Sequence, residues 1–509
     1  MGISIAGTPV YRKGFGLATM ELPVLLSPSI RMRIHSTSKH FTCLCYLLLC
    51  EEGKAGIDDP IGKYMPELNR VSKGVTLRQL MGNVSGLRNP MNLRWELGSS
   101  EREIPIEELL DVYRTIDDVN FSPGVSWNYN NSGFELVAVA VERMTGQRLE
   151  EVLRSRIFEP VGMHDTLLRR VNSNFVPNSA TMHMTSPSRA LERTYLPGTI
   201  AGAGGIVSTV DDMLRWLKHM DAPIVGSAET WALMKTPQIL ANGTSTGYGF
   251  GLHIHRYRGV ETVSHAGGGW GANSQMLKVP AAGLDIAMML NRGDIFGMEL
   301  TERVLDACLP YLDPIERRPE RLFPVGLFRS PKSKLVIELK RSYIDSAIVK
   351  KDQPIASVNA MDYPVAFDHT GVLRPTGAIM DSTRYAIEPL GDRTQPGDIK
   401  FTDYGNVDTL EAAVRLDNAD PTPIIGRYRC EGIGTVATVV AACESPRLNV
   451  IGPFGSAQCK LESLADGIWI STKIDISPTK SLLCFDNSGS FGYLSFSTKL
   501  SPLRFERIR

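Results

Sequence analysis

Residues 33–41, RIHSTSKHF, set two serines, a lysine and two histidines just ahead of the apolar run FTCLCYLLL. Ser36 and Lys39 stand three positions apart, so on the first turn of a helix their side chains share one face and an amine reaches a hydroxyl. A lysine shielded by the apolar run and flanked by other positive groups loses its proton near neutrality and serves as a base for a serine nucleophile. Ser38, beside the lysine, points roughly 100° around the helix and is the poorer nucleophile. The spacing alone is a weak signal, since the same residues suit an ordinary helix cap. S-x-x-K recurs at Ser477–Lys480, with a proline and in strand-like sequence, and GTSTG at 243–247 matches G-x-S-x-G but precedes a strand instead of joining strand to helix. Both are set aside.

Two further groups strengthen the first. In PGVSWNYNNSGFELVAV, Tyr129 and Asn131 lie two apart in a short turn before a helix, and in extended backbone such residues point the same way. A phenol there can share proton transfer with the lysine, and an amide can hold a substrate carbonyl; an aromatic anchor and an N-cap is the plainer reading. In SHAGGGWGANSQM, a strand carries His265, and the glycines after Ala266 permit close backbone approach. The peptide NH of Gly268 could complete an oxyanion hole with that of Ser36. His253 and His255 share a strand face and could join His265 around a metal, but no carboxylate or cysteine lies nearby, so no metal and no cofactor is expected.

These residues need a scaffold, and the chain is long enough for two or three domains: 509 residues, 43% hydrophobic and 22% charged. Lys+Arg 55 balances Asp+Glu 55, which argues against nucleic acid or an anionic membrane surface as partner. No apolar stretch reaches the ~18–20 residues of a membrane span, and the first residues read as a β-hairpin, not a leader. Eight cysteines without a C-x-x-C pair suit a reducing, cytoplasmic compartment, with those at 43, 45 and 50 buried on one helix. Ser132 is the expected cap of the helix in SGFELVAVAVERM, and Ser208 or Thr209 that of STVDDMLRWLKHM. Residues 248–290 alternate as an antiparallel meander; after the Pro- and Arg-rich stretch LDPIERRPERLFPVG, only short strand-like runs remain, with DNADPTPIIG as a second hinge.

The order S-x-x-K, Y-x-N, H-x-G, with the phrases RIFEPVGMHDT, AGAGGIVSTVDDMLRW and YGFGLHI, resembles the serine β-lactamase and penicillin-recognising enzymes, specifically the class C-like peptidases and esterases. The resemblance runs from residue 3 to about 308, and the trailing β units, the last opened by IIGRY, are similar to those of bacterial D-aminopeptidases. It implies an α+β fold. A β-lactamase-like catalytic domain over 1–312, an antiparallel sheet flanked by helices, precedes two small all-β antiparallel barrels at 320–418 and 422–509. It implies that Ser36 attacks the scissile carbonyl to form an acyl-enzyme, Lys39 is the base, and Tyr129 shuttles the proton and activates water. Asn131 orients Lys39 and substrate, His265 lines the leaving-group side, Gly267 binds substrate, and the NH groups of Ser36 and Gly268 hold the oxyanion.

The family usually has Lys-Thr-Gly where this chain has His265-Ala266-Gly267, so recognition of a free carboxylate or of penicillin is disfavoured. The expected activity is hydrolysis of amide bonds in short peptides or amino-acid amides, D-residue-containing or non-standard, linearised microcystins included. An esterase or weak β-lactamase on the same site is the alternative, and a binding protein with a relic site a third. By the same resemblance, a loop of the last barrel reaches the active site, with Asp475 pairing a substrate ammonium. The helix that usually packs under the first strands is missing from this sequence. The oligomeric state stays open, a homodimer included.

Overall fold

The structure is a computed structural model that describes residues 1–98, 105–185, 190–195, 199–314, 322–343, 350–376, 385–391, 397–474, 479–495 and 498–508. The chain starts in the hairpin β1 (Gly2–Ile5) and β2 (Thr8–Arg12), closed by Ala6 and Gly7 at φ 49° and 72°, the left-handed pair that a tight two-residue turn requires. The meander follows much later as β3 (His253–Tyr257), β4 (Val260–Gly269), β5 (Ala272–Val279) and β6 (Leu284–Leu290). All six form one sheet in the order β3-β4-β5-β6-β1-β2, with Gly2 opposite Ala287. Along β6 the side chains alternate: Leu284 and Ile286 enter one apolar cluster, and Ala287 and Met289 another, so both faces of the sheet are covered.

The helices that matter here are α1 (Lys39–Glu51), α2 (Pro90–Leu97), α3 (Ile106–Thr115), α4 (Asn131–Thr145), α5 (Val210–His219) and α6 (Gly297–Cys308). Helix α1 is buried almost all round, as its unbroken apolar run requires, and it packs on α4 in the main core. Helix α5 covers one face of the sheet and α6 the other. Thr209 caps α5, accepting from Asp212 N. The expected cap of α4 is displaced by two residues: Asn130, not Ser132, accepts from Gly133 N, and the Ser132 hydroxyl donates to Asn89 instead. An amide caps at least as well as a hydroxyl, and starting the helix there makes Asn131 its first residue. None of the eight cysteines is in a disulfide, and among the described residues no helix is long and apolar enough to cross a membrane.

The strands between Gly326 and Ala413 close into an eight-stranded antiparallel barrel, and those between Gly426 and Ile508 into a second. The second barrel is welded to the first region of the chain. Leu93 and Leu97 of α2, Val112 of α3 and Ile116 just after it share a core with Ile433, Phe454 and Phe485. Gly98 lies so close to this barrel that a Cβ would sit 1.8 Å from the Phe454 carbonyl oxygen. Arg88, 1% exposed, pairs with Asp118 at 2.5 Å and donates to the Ser501 carbonyl at 2.8 Å. Replacing Arg88 by Ala strands those acceptors while Asp118 keeps some solvent. We expect a loss of about 3 kcal/mol, the low end for a broken buried pair, read as an earlier unfolding transition in urea. An unchanged midpoint would deny Arg88 that role.

Candidate active site

Arg33 is the last residue of a short strand, and the chain then bends into a 3-10 turn, His35–Ser38, that runs straight into α1. Ser36 therefore sits in the 3-10 turn, not on α1 itself, and Lys39 is the first residue of the helix. The turn is pinned on both sides of the serine. The Thr37 hydroxyl donates to the His265 carbonyl at 3.1 Å, Ser274 Oγ donates to the Ile34 carbonyl at 2.7 Å, and Ser38 Oγ accepts from Ile206 N at 3.1 Å. Ser38 is thus a buried anchor of the turn. Gly267 is what lets β4 come this close: a Cβ there would stand 2.0 Å from the Ile34 carbonyl oxygen.

Lys39 is wholly buried, and its Nζ donates to three oxygens: Ser36 Oγ at 3.0 Å, Asn131 Oδ1 at 2.7 Å and the Ala203 carbonyl at 2.7 Å. The same nitrogen lies 4.7 Å from the centre of the Tyr129 ring. Burial lowers the lysine pKa to about 7, with the Glu135 charge pulling the other way. Loss of water, the shielding expected of the apolar run, makes the amine available as a base, without the contribution expected of flanking positive groups. The Tyr129 hydroxyl is buried without a hydrogen-bond partner; burial raises its pKa, and the nearby Ser36 hydroxyl opposes that rise. His265, also fully buried, faces Tyr248 Oη through Nε2 at 3.1 Å, and burial with the Lys39 charge lowers its pKa to about 3, so it is neutral.

A cavity of about 140 Å³ opens over this group, lined by Ser36, Asn131, Glu135 and Gly268 among polar groups and by Met91, Trp95, Ile106 and Trp270 among apolar ones. The predicted residues thus divide. Ser36, Asn131 and Gly268 face the cavity, while Lys39 and His265, buried, and Tyr129, half-buried, stand beside it and do not line it. Gly267 is buried against Ile34 and is a close-packing position, not a cavity wall. Asp475 and most of its loop lie outside the described residues. His253 Nδ1 lies 3.1 Å from His255 Nε2, each engaged with the other, and among the described residues no group of three His, Cys, Asp or Glu is arranged to hold a metal. The GTSTG segment is a loop against the first barrel.

Sequence reasoning missed Glu135. One turn beyond Asn131 on α4, its carboxylate accepts from Ala201 N at 3.1 Å and Ala203 N at 2.9 Å, so it holds the very turn whose carbonyl binds Lys39. A lone acid in the apolar run FELVAVAV was the available signal. Oε1 accepts from both peptides while Oε2 adds one longer bond from Ala201 N at 3.2 Å, so Glu135→Gln with its oxygen at Oε1 keeps both contacts to the turn and removes the charge that raises the Lys39 pKa. The rate at which a fluorophosphonate acylates Ser36 should rise with pH through about 7 as Lys39 becomes neutral. In Glu135→Gln that rise should move to lower pH; a shift to higher pH, or none, would contradict this electrostatic assignment.

The family model described as Beta-lactamase matches residues 1–308. The chain is 28% identical over 272 residues to a D-aminopeptidase of Brucella anthropi, covering 52% of this chain and 50% of that protein. It is 27% identical over 291 residues to a D-aminopeptidase of Gluconobacter oxydans, covering 56% and 54%. It thus spans about half the length of these curated relatives. Among solved structures, the octameric penicillin-binding protein homologue from Pyrococcus abyssi has a TM-score of 0.55 at 17% identity, covering 99% of this chain and 94% of that one. D-amino acid amidase from Ochrobactrum anthropi SV3, in complex with L-phenylalanine amide, has a TM-score of 0.51 at 24% identity, covering 60% and 91%. With 308 of its 509 residues matched, the chain belongs to the β-lactamase family.

Proposed function

We propose that this enzyme hydrolyses amide bonds of short peptides or amino-acid amides through an acyl-enzyme on Ser36, with an apolar D-residue on the acyl side. The observation that carries the reading is the water-free Lys39 amine 3.0 Å from Ser36 Oγ. Neutral Lys39 takes the serine proton as Oγ attacks the carbonyl carbon, and the NH groups of Ser36 and Gly268 receive the oxyanion. Tyr129, packed on the lysine, passes the proton to the leaving amine and then helps water attack the ester. Asn131 holds Lys39 from the cavity side and presents its amide to the substrate.

The cavity walls support an apolar side chain: the Trp95 and Trp270 rings stand 5.6 Å apart, with Met91 and Ile106 beside them. Preference for an amide over a β-lactam rests on His265-Ala266, which put a neutral buried ring and a methyl where a carboxylate would need a cation and a hydroxyl. The D-configuration rests on the names of the relatives at 27–28% identity.

The test is a panel of D- and L-phenylalanyl, leucyl and alanyl amides, matched esters and a chromogenic β-lactam, with products read by mass spectrometry. The expected order places D-phenylalanyl and D-leucyl amides first. Ser36→Ala should lower kcat/KM at least ~10³-fold and abolish the covalent adduct seen in the intact mass. Full amide hydrolysis by Ser36→Ala would remove the reading.

A further inference from the structure

The two barrels are joined to the first region in different places, and one junction falls beside the reacting group. The first barrel's strands Asp398–Asp403 and Asn406–Ala413 are linked by the two-residue turn Tyr404–Gly405, with Asp403 opposite Asn406. Tyr404 is held at φ 47° and Gly405 at 75°, as such a turn demands, although the left-handed region is unfavourable for a tyrosine. The turn is pressed into a socket formed by the GTSTG loop. Asn242 Nδ2 donates to the Tyr404 carbonyl at 3.0 Å, and a Cβ on Gly405 would lie 2.3 Å from Thr244 Oγ1. From behind, Lys499 of the second barrel pairs with Asp403 at 2.5 Å and lies 5.5 Å from the centre of the Tyr404 ring.

The ring of Tyr404 is 7% exposed and belongs to the core that also holds α1 and α4, not to the core of its own barrel. It packs on Trp127, with ring centres 5.6 Å apart at 49°. Trp127 in turn packs on Tyr129 at 6.2 Å and edge-on to Tyr248 at 5.6 Å, whose hydroxyl meets His265. Trp127 is 2% exposed and its indole NH is without a hydrogen-bond partner; the Tyr129 hydroxyl likewise has none. Ser36 and Lys39 flank Tyr129 on its reacting side, and on the far side the Trp127 ring, itself held by packing alone, backs it.

We infer that Tyr404, carried in by the first barrel, is a positioning residue for catalysis: through Trp127 it holds Tyr129 at the distance from Lys39 and Ser36 at which a proton can be passed. This rests on the proposed role of Tyr129. Removing the Tyr404 ring frees Trp127 to settle toward the barrel, and a displacement of about 1 Å at a proton-transfer group costs up to ~10²-fold in rate. Substrate contacts are untouched, because none of Tyr404, Trp127 and Tyr129 lines the cavity.

The experiment is a double-mutant cycle on the full chain, read as kcat and KM on the best amide. Tyr404→Ala should lower kcat by roughly 10- to 100-fold with KM within about twofold. Tyr404→Phe should restore the rate, because the ring and not the hydroxyl makes the contact. In a Tyr129→Phe background, Tyr404→Ala should cost almost nothing more. Asn242→Ser loosens the turn without emptying the core, and should give a smaller loss of the same kind even if Tyr404→Ala fails to fold. Equal losses from Tyr404→Ala with and without the Tyr129 hydroxyl would overturn the inference while leaving the site reading intact. A fully active Tyr129→Phe would remove the proposed role of Tyr129 and the inference with it.

Discussion

A primary amine without access to water, shared among three oxygens, is the constraint on which the rest of this structure depends. A buried ammonium is costly, and a buried amine is useful only if its acceptors stay fixed. Each acceptor of Lys39 comes from a different part of the chain: Ser36 from the turn before α1, Asn131 from the start of α4, and the Ala203 carbonyl from a loop that Glu135 holds. The surrounding packing can be understood as what keeps those three in register. Helix α1 is buried on nearly all sides, α4 lies against it, and the serine turn is stitched to β4 and β5 through Thr37 and Ser274. The acid that supports the loop also pulls the lysine pKa upward, so one carboxylate fixes the geometry and tempers the basicity.

Much of this was legible in the order of residues, and what was not has definite causes. The serine and lysine could be read because their spacing is a local property, and the hairpins because turn chemistry is local as well. The two trailing all-β units could be read from where helical periodicity stops, and their closure into barrels, implied by the family resemblance, is what the strand pairing shows. The helix cap moved from Ser132 to Asn130 because two capping residues stand nearly side by side and tertiary contact decides between them: Asn89 claims the Ser132 hydroxyl. The shielding of the lysine was legible in the apolar run that follows it, whereas the positive neighbours beside it in sequence add nothing to its lowered pKa, because burial is the dominant cause. His265 was expected beside a leaving group, yet strand register turns it inward to Tyr248. Glu135 and Tyr404 escaped for a shared reason: each acts on residues that are distant in the chain or reached through an intermediate.

The barrels occupy different sides of the problem. The second underlies α2 and α3, which carry Met91, Trp95, Ile106 and Leu109 on the cavity wall, so it bears on what fits. The first meets the core at one turn behind Trp127, so it bears on how the proton moves. Two of the three residues from α2 and α3 in the second barrel's core, Leu93 and Leu97, lie on the same short helix that presents Trp95 to the cavity.

The pairing of β1 with β6 carries a consequence in time. Gly2 finds its partner Ala287 only after almost three hundred residues have been synthesised, and the turn bearing Ser36 is stitched to β4 and β5, which emerge little earlier. Before that point Lys39 sits in a solvated segment with an ordinary ammonium, and the serine beside it is as inert as any in a loop. The buried environment that lowers the Lys39 pKa therefore exists only once the distant strands β4 and β5 have met the serine turn.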